Sequence, residues 1–182
     1  MDDLVKNLQE KVSTLKKQNL ELEDKIVALI SRKNFNFHVS PTNNSDLYEL
    51  IVNLINSATK EVLIVTRGFD VDFTHVIINK WQELNKNLLL ISLDRHLIFK
   101  NENIKGYDFL TSSNTLEIVN NPDIDSTFII IDRTKILLIS CDLNKDIIIK
   151  KFVTAAIGQD ESVVRRYFKF LNEHLPSFMR IS

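Results

Sequence analysis

The spacing of apolar residues changes twice along this 182-residue chain. From Val5 to Leu29 it follows a heptad, with Val5, Val12, Asn19 and Ile26 at a and Leu8, Leu15, Leu22 and Leu29 at d. So narrow a seam does not seat a helix on a globular core, whereas β-branched residues at a with Leu at d favour two parallel strands. These positions predict a parallel homodimer over residues 1–32, with Asn19 fixing register at some cost in stability. Charge adds little to it, because Lys11 at g faces Lys16 at e of the partner. The alternative is an amphipathic helix packed on its own domain, which Leu20 and Ile30 beside the seam favour. Residues 33–45, with Pro41, Thr42, Asn43 and Asn44, read as a linker in which Phe35 and Phe37 form an edge strand or tuck under the domain.

From residue 46 to 182 the pattern is that of one α/β domain. Leu47, Leu50, Ile51, Leu54 and Ile55 recur at i, i+3, i+4 and i+7, a helix with one apolar stripe, capped by Ser45 or Asp46. Glu61 to Thr66 is a continuous apolar run, hence a strand buried on both faces. A helix from about Phe73 to Asn85 and a second apolar strand, Leu88 to Ser92, complete a βαβ unit. Asp94 to Asn114 reads as a loop with at most one short helix, and Leu116 to Val119 as a third strand. Phe128 to Ile131 and Ile136 to Ser140 flank the polar Asp132–Lys135 and predict a β-hairpin. Two helices close the chain, one around Ile147 to Ile157 and one begun by Asp160. The expected architecture is a dimeric coiled coil followed by a mixed-sheet α/β domain.

Composition removes several function classes. Lys and Arg total 23 against 24 Asp and Glu, and a net charge of −1 gives no overall footprint for wrapping nucleic acid. Cys141 is the one cysteine, so there is no intrachain disulfide, a reducing compartment is the default, and no Cys/His spacing suggests zinc or another cofactor. No run approaches the ~20 apolar residues of a spanning helix, which together with the charged N-terminus leads to the expectation of a soluble, cytoplasmic protein.

In open α/β sheets ligands bind at the carboxyl ends of strands, so Arg67, Asp70, Asp94 and Arg95 are candidates to line one pocket. His96 lies nearby but has no nucleophile or second acid to form a catalytic set. Asp132 with Arg133 and Lys135 offers either an anion site or an ordinary solvated turn. Arg165, Arg166 and Lys169, with Lys150 and Lys151 before them, form the one basic cluster, suited to phosphate or nucleic acid or to the wet face of a helix.

The order apolar strand, Asp132, polar turn, apolar strand ending in Ser140, then Asp142, Leu143 and Asn144 resembles the phospholipase D superfamily. In that family the segment carries HxKxxxxD, a hairpin and a Gly-Ser-x-Asn type turn. Carried over, Asp132 matches the motif aspartate, Ser140 the turn serine, and Asn144 or Asp142 the turn asparagine, whereas Asp125 stands at the nucleophilic histidine and Thr127 at the phosphate-holding lysine. An aspartate cannot act as a neutral nitrogen nucleophile and repels the phosphodiester it should attack. The resemblance extends to the non-catalytic effector domains of TrmB-like regulators, which sit behind coiled coils, and to a membrane-associated domain of proteins that partner the ESCRT machinery. It implies a non-catalytic homodimeric adaptor or regulator that binds a protein partner or ligand through a degenerate phospholipase D-like domain, with nucleic acid or a lipid headgroup as further candidates. The alternatives are a phosphodiesterase or nuclease whose site is completed across the dimer, and a nucleic-acid accessory protein.

Overall fold

The computed structural model describes residues 35–40, 45–113 and 115–175. The heptad from Val5 to Leu29, and with it the predicted dimer, lies outside the described residues. Strand β1 (Phe35–Ser40) is followed by helix α1 (Asp46–Asn56), strand β2 (Val62–Thr66), helix α2 (Val71–Glu83), strand β3 (Leu88–Ser92), a 3-10 turn (Arg95–Leu97) and helix α3 (Asn101–Ser112). Then come strands β4 (Ile118–Asn120), β5 (Thr127–Ile131) and β6 (Lys135–Ile139), a short helix α4 (Lys145–Lys150), strand β7 (Val153–Gly158) and helix α5 (Glu161–His174). The seven strands form one sheet in the order β1-β7-β6-β5-β2-β3-β4. β2, β3 and β4 run parallel, while β5, β6 and β7 alternate in direction, so the sheet is mixed as the sequence predicts. Phe35–Ser40, placed within the linker by pattern, is the edge strand that the alternation of its phenylalanines allows.

The two faces of the sheet are covered differently. Val62, Ile64, Leu88, Leu90, Ile129, Ile131, Leu137 and Ile139 join one core with Leu47, Ile51 and Ile55 of α1, Phe73 and Ile77 of α2, Tyr107 and Leu110 of α3, and Ile148 of α4. The opposite parity packs on α5, where Val164 and Leu171 are buried and Phe128 meets the ring of Tyr167 at 5.5 Å. Burial on both faces explains why β2 and β5, apart from one terminal threonine each, are apolar and not alternating. At about 1.5 to 3 kcal/mol per large buried side chain, these two layers are the main stabilising term before entropy is subtracted.

Two segments differ from their predicted form. Asp94–Asn114 holds a twelve-residue helix, α3, whose buried stripe is Asn103, Gly106, Tyr107 and Leu110. Two of those four positions are not apolar, so the helical period is invisible in hydrophobicity. The helix expected around Ile147 to Ile157 stops at Lys150, and Val153–Gly158 is instead a strand pairing antiparallel with β6. Pairing with a β6 edge that would otherwise be bare outweighs the local helix preference of Ala155 and Ala156.

The hairpin turn is tight. Asp132 and Arg133 both have positive φ, 50° and 53°, the left-handed conformation that two-residue hairpin turns need and that Asp tolerates.

Candidate functional site

Strand directions bring the ends of β2, β3, β4 and β6 and the starts of β5 and β7 to one edge of the sheet. Beyond that edge the segments after β2 and β6 run side by side. The Leu143 N–H donates to the Gly68 carbonyl and the Asp70 N–H to the Leu143 carbonyl, each at 3.0 Å. This pairing sets Asp142 against Arg67.

Asp142 is 5% exposed and accepts from four donors. The Arg67 Nε and a second guanidinium nitrogen both reach Oδ1 at 3.0 Å. On Oδ2 the Lys100 Nζ lies at 2.5 Å and the Asn103 Nδ2 at 3.1 Å. The Asn103 amide is itself held, its Oδ1 accepting from the Asn144 Nδ2 at 3.0 Å, while the Asn144 Oδ1 caps α4 by accepting from the Ile147 N–H at 3.0 Å. Lys100 and Asn103 come from the start of α3, which can approach this closely because two glycines leave room. A Cβ on Gly68 would stand 2.6 Å from the Asn103 Nδ2, and one on Gly106 would stand 2.2 Å from the Phe69 carbonyl oxygen. The cluster holds one buried carboxylate between two cations whose side chains are 42% and 44% exposed.

Beneath it, Ser92, Thr66 and Thr127 form a buried polar row across adjacent strands. The Thr66 hydroxyl lies 3.3 Å from that of Thr127 and 2.9 Å from the Gly68 carbonyl, whereas the Ser92 hydroxyl makes no hydrogen bond among the described residues. Thr127 is 3% exposed and shares the parity of Ile129 and Ile131, on the face covered by α1 to α4. Asp125 is exposed, and with Val65, Ile91, Phe128 and Phe170 it lines a small cleft on the α5 side.

Of the four residues expected to share a pocket, Arg67 enters the cluster. Asp70 lies beside it as a structural group: it accepts from the Phe73 N–H at 2.9 Å, capping α2, and from the Lys145 N–H at 2.6 Å. Burial raises its pKa despite these two bonds, which pull the other way. Asp94 stands before the 3-10 turn without a capping bond, and Arg95 forms a surface ion pair with Asp108 at 2.5 and 2.8 Å. Asp132 is on the opposite edge of the sheet, where its carboxylate accepts from the N–H groups of Thr59, Lys60 and Glu61 and from the Thr59 hydroxyl. Arg165 pairs with Glu161 at 2.7 Å, and Arg165, Arg166 and Lys169 line a shallow groove along α5 with Glu161 and Ser162. Lys100 and Asn103 have no counterpart in the sequence-derived set, since the helix carrying them is the one its pattern conceals. Burial and the neighbouring Asp142 push the Cys141 thiol up to about 11, which keeps it protonated and unreactive. Among the described residues no group of three or more His, Cys, Asp or Glu is arranged to hold a metal ion, and no helix is long and apolar enough to cross a membrane.

No family model and no curated protein matches the chain. Among solved structures it is similar to Nuc from Salmonella typhimurium, a phospholipase D family member, with a TM-score of 0.64 and 12% identity over 77% of this chain and 93% of that one. It is also similar to NucT from Helicobacter pylori, with a TM-score of 0.61 and 14% identity over 77% and 94% of the two chains. TrmBL2, an archaeal chromatin protein with its own mode of DNA binding, is matched with a TM-score of 0.52 and 16% identity over 94% of this chain and 66% of that one. The domain therefore has a phospholipase D-like fold, as the hairpin and its flanking residues indicate.

Proposed function

We propose that the chain is a non-catalytic adaptor or regulator in which a phospholipase D-like domain serves as a binding module. The observation that carries this reading is the state of Thr127, which stands where the fold's enzymes place the phosphate-holding lysine: it is buried and hydrogen-bonded to Thr66 and so presents no charge to a substrate. Asp125, at the nucleophile position, adds negative charge where a phosphodiester would approach. The heptad from Val5 to Leu29 duplicates the module, so that a multivalent partner gains avidity. Incubation with a chromogenic phosphodiester tests the claim: no turnover is expected, and turnover that disappears in D125N overturns it. Replacing Leu15 and Leu22 by Glu is expected to halve the mass in light scattering; a monomeric wild type refutes the dimer.

A second reading, a nucleic-acid accessory protein, draws on the groove of Arg165, Arg166 and Lys169 and on the likeness to TrmBL2. It requires salt-sensitive DNA binding that is lost when both arginines are neutralised.

A further inference from the structure

We propose that Arg67, Lys100 and Asn103 constitute an oxyanion-binding site whose resident ligand is the chain's own Asp142 carboxylate. The inference deepens the non-catalytic reading of this end of the sheet.

The donor set is one that recognises phosphate as readily as carboxylate. Two guanidinium nitrogens of Arg67 engage one carboxylate oxygen at 3.0 Å, and an ammonium and a side-chain amide engage the other at 2.5 and 3.1 Å. A planar guanidinium fork fits either anion, and charge-assisted bonds of this kind are the strong class. One donor side chain is held independently of the ligand. Asn103 is fixed by Asn144, Asn144 by its cap on α4, and the Arg67 backbone continues from β2. Two cations face one carboxylate, so the cluster keeps one positive charge, and both cations are about half exposed, which leaves an approach from solvent.

The occupant is tethered at both ends. The Leu143 N–H is bonded to Gly68, and the Ser140 N–H to the Thr154 carbonyl at 3.0 Å. Asp142 thus sits at a high effective concentration over the donors, and an external anion must displace an intramolecular competitor. Asp142 acts as a built-in inhibitor of anion entry, and any ligand of this crevice has to pull the 140–144 turn away before its oxyanion can bind.

The test compares wild-type protein with D142N, which keeps the shape and removes the charge. Inorganic phosphate is titrated while the Arg67 side-chain and the Lys100 and Asn103 backbone signals are followed by NMR. D142N is expected to show saturable shifts at these positions with a Kd lower than that of the wild type by about tenfold or more, the size of one charge-assisted contact. The shifts should vanish in D142N/K100M. A folded D142N that binds phosphate no more tightly than the wild type overturns the proposal, and D142S repeats the measurement with a shorter side chain. If neither variant folds, the wild type decides: saturable binding at Arg67 at low millimolar phosphate refutes an internal occupant, and its absence supports one. Phosphodiester turnover by the wild type would remove the non-catalytic reading and leave this site standing, whereas failure of D142N to bind removes this site alone.

Discussion

Changing Asp132 to Asn should weaken the fold in a way that depends on pH. The carboxylate fastens the hairpin to the loop between α1 and β2: Thr59 and Lys60 donate backbone N–H groups at 2.9 and 2.8 Å, Glu61 donates at 3.0 Å, and the Thr59 hydroxyl adds a bond at 3.0 Å. Partial burial alone would raise its pKa, but the bonds from Glu61, Thr59 and Lys60 outweigh it and bring the group from 3.8 to about 2. A depressed carboxylate stabilises the fold above its unfolded-state pKa, and that stability is lost as the pH falls through the folded-state value. At about 1.4 kcal/mol per pKa unit the shift corresponds to roughly 2.5 kcal/mol, which partial solvent access reduces to about 1 to 2. Asn tolerates the positive φ at this position, so the substitution removes the charge and one of the two acceptor oxygens without adding backbone strain. Urea unfolding at neutral pH should show a midpoint lower in D132N by about 0.5 to 1 M for an m-value of about 2 kcal/mol/M. The gap should shrink between about pH 4 and pH 2 as the wild type loses the same interaction. Equal midpoints at neutral pH, or a gap that persists once the wild-type carboxylate is protonated, would refute the assignment.

Other substitutions probe the crevice and its supports. G106A places a methyl group against the Phe69 carbonyl, 2.2 Å from its oxygen, and should cost about 1 to 3 kcal/mol by forcing α3 outward; thermal melting reads this, and an unchanged melting temperature contradicts the close approach. D142A leaves Arg67 and Lys100 facing each other without their anion and is expected to lose about 2 to 3 kcal/mol, below the range for fully buried pairs because both cations can turn to solvent. D70A removes the cap of α2 and the acceptor of the Lys145 N–H, a loss of about 1 to 2 kcal/mol in denaturant unfolding. R95A, at an exposed ion pair with Asp108, should leave the urea midpoint unchanged, in contrast to its candidacy for the pocket.

The parts of the fold that can be read from the chain are those in which one local signal is sufficient. β2 and β3 are continuous apolar runs, the hairpin has a polar turn of the right length, and α5 has an aspartate cap whose side chain accepts from the N–H groups of Ser162 and Val163. α3 fails that criterion, because Asn103 and Gly106 stand in its buried stripe for reasons outside the helix: Asn103 to hold Asp142, Gly106 to clear the backbone at Phe69 and Asp70. β7 fails it too, since a strand containing Ala155, Ala156 and Gly158 is specified by its pairing with β6 more than by its own residues. The same division applies to the site. Arg67 is visible as a charge after a buried strand, and Asp142 and Asn144 as the end of a recognisable hairpin. Their convergence is invisible, because Lys100 and Asn103 arrive on the helix that hydrophobicity does not show. Asp132 is legible as a motif residue but belongs to the far edge of the sheet, where it fastens a loop, and only the direction of β5 reveals this.

We propose that this phospholipase D-like fold serves binding without phosphodiester chemistry. The most direct measurement is cleavage of a single-stranded oligonucleotide with the wild-type chain in excess over substrate, products being counted over a long incubation. No cleavage above that of a denatured control is expected. Cleavage that follows protein concentration and is abolished in a folded D125N variant would contradict the proposal.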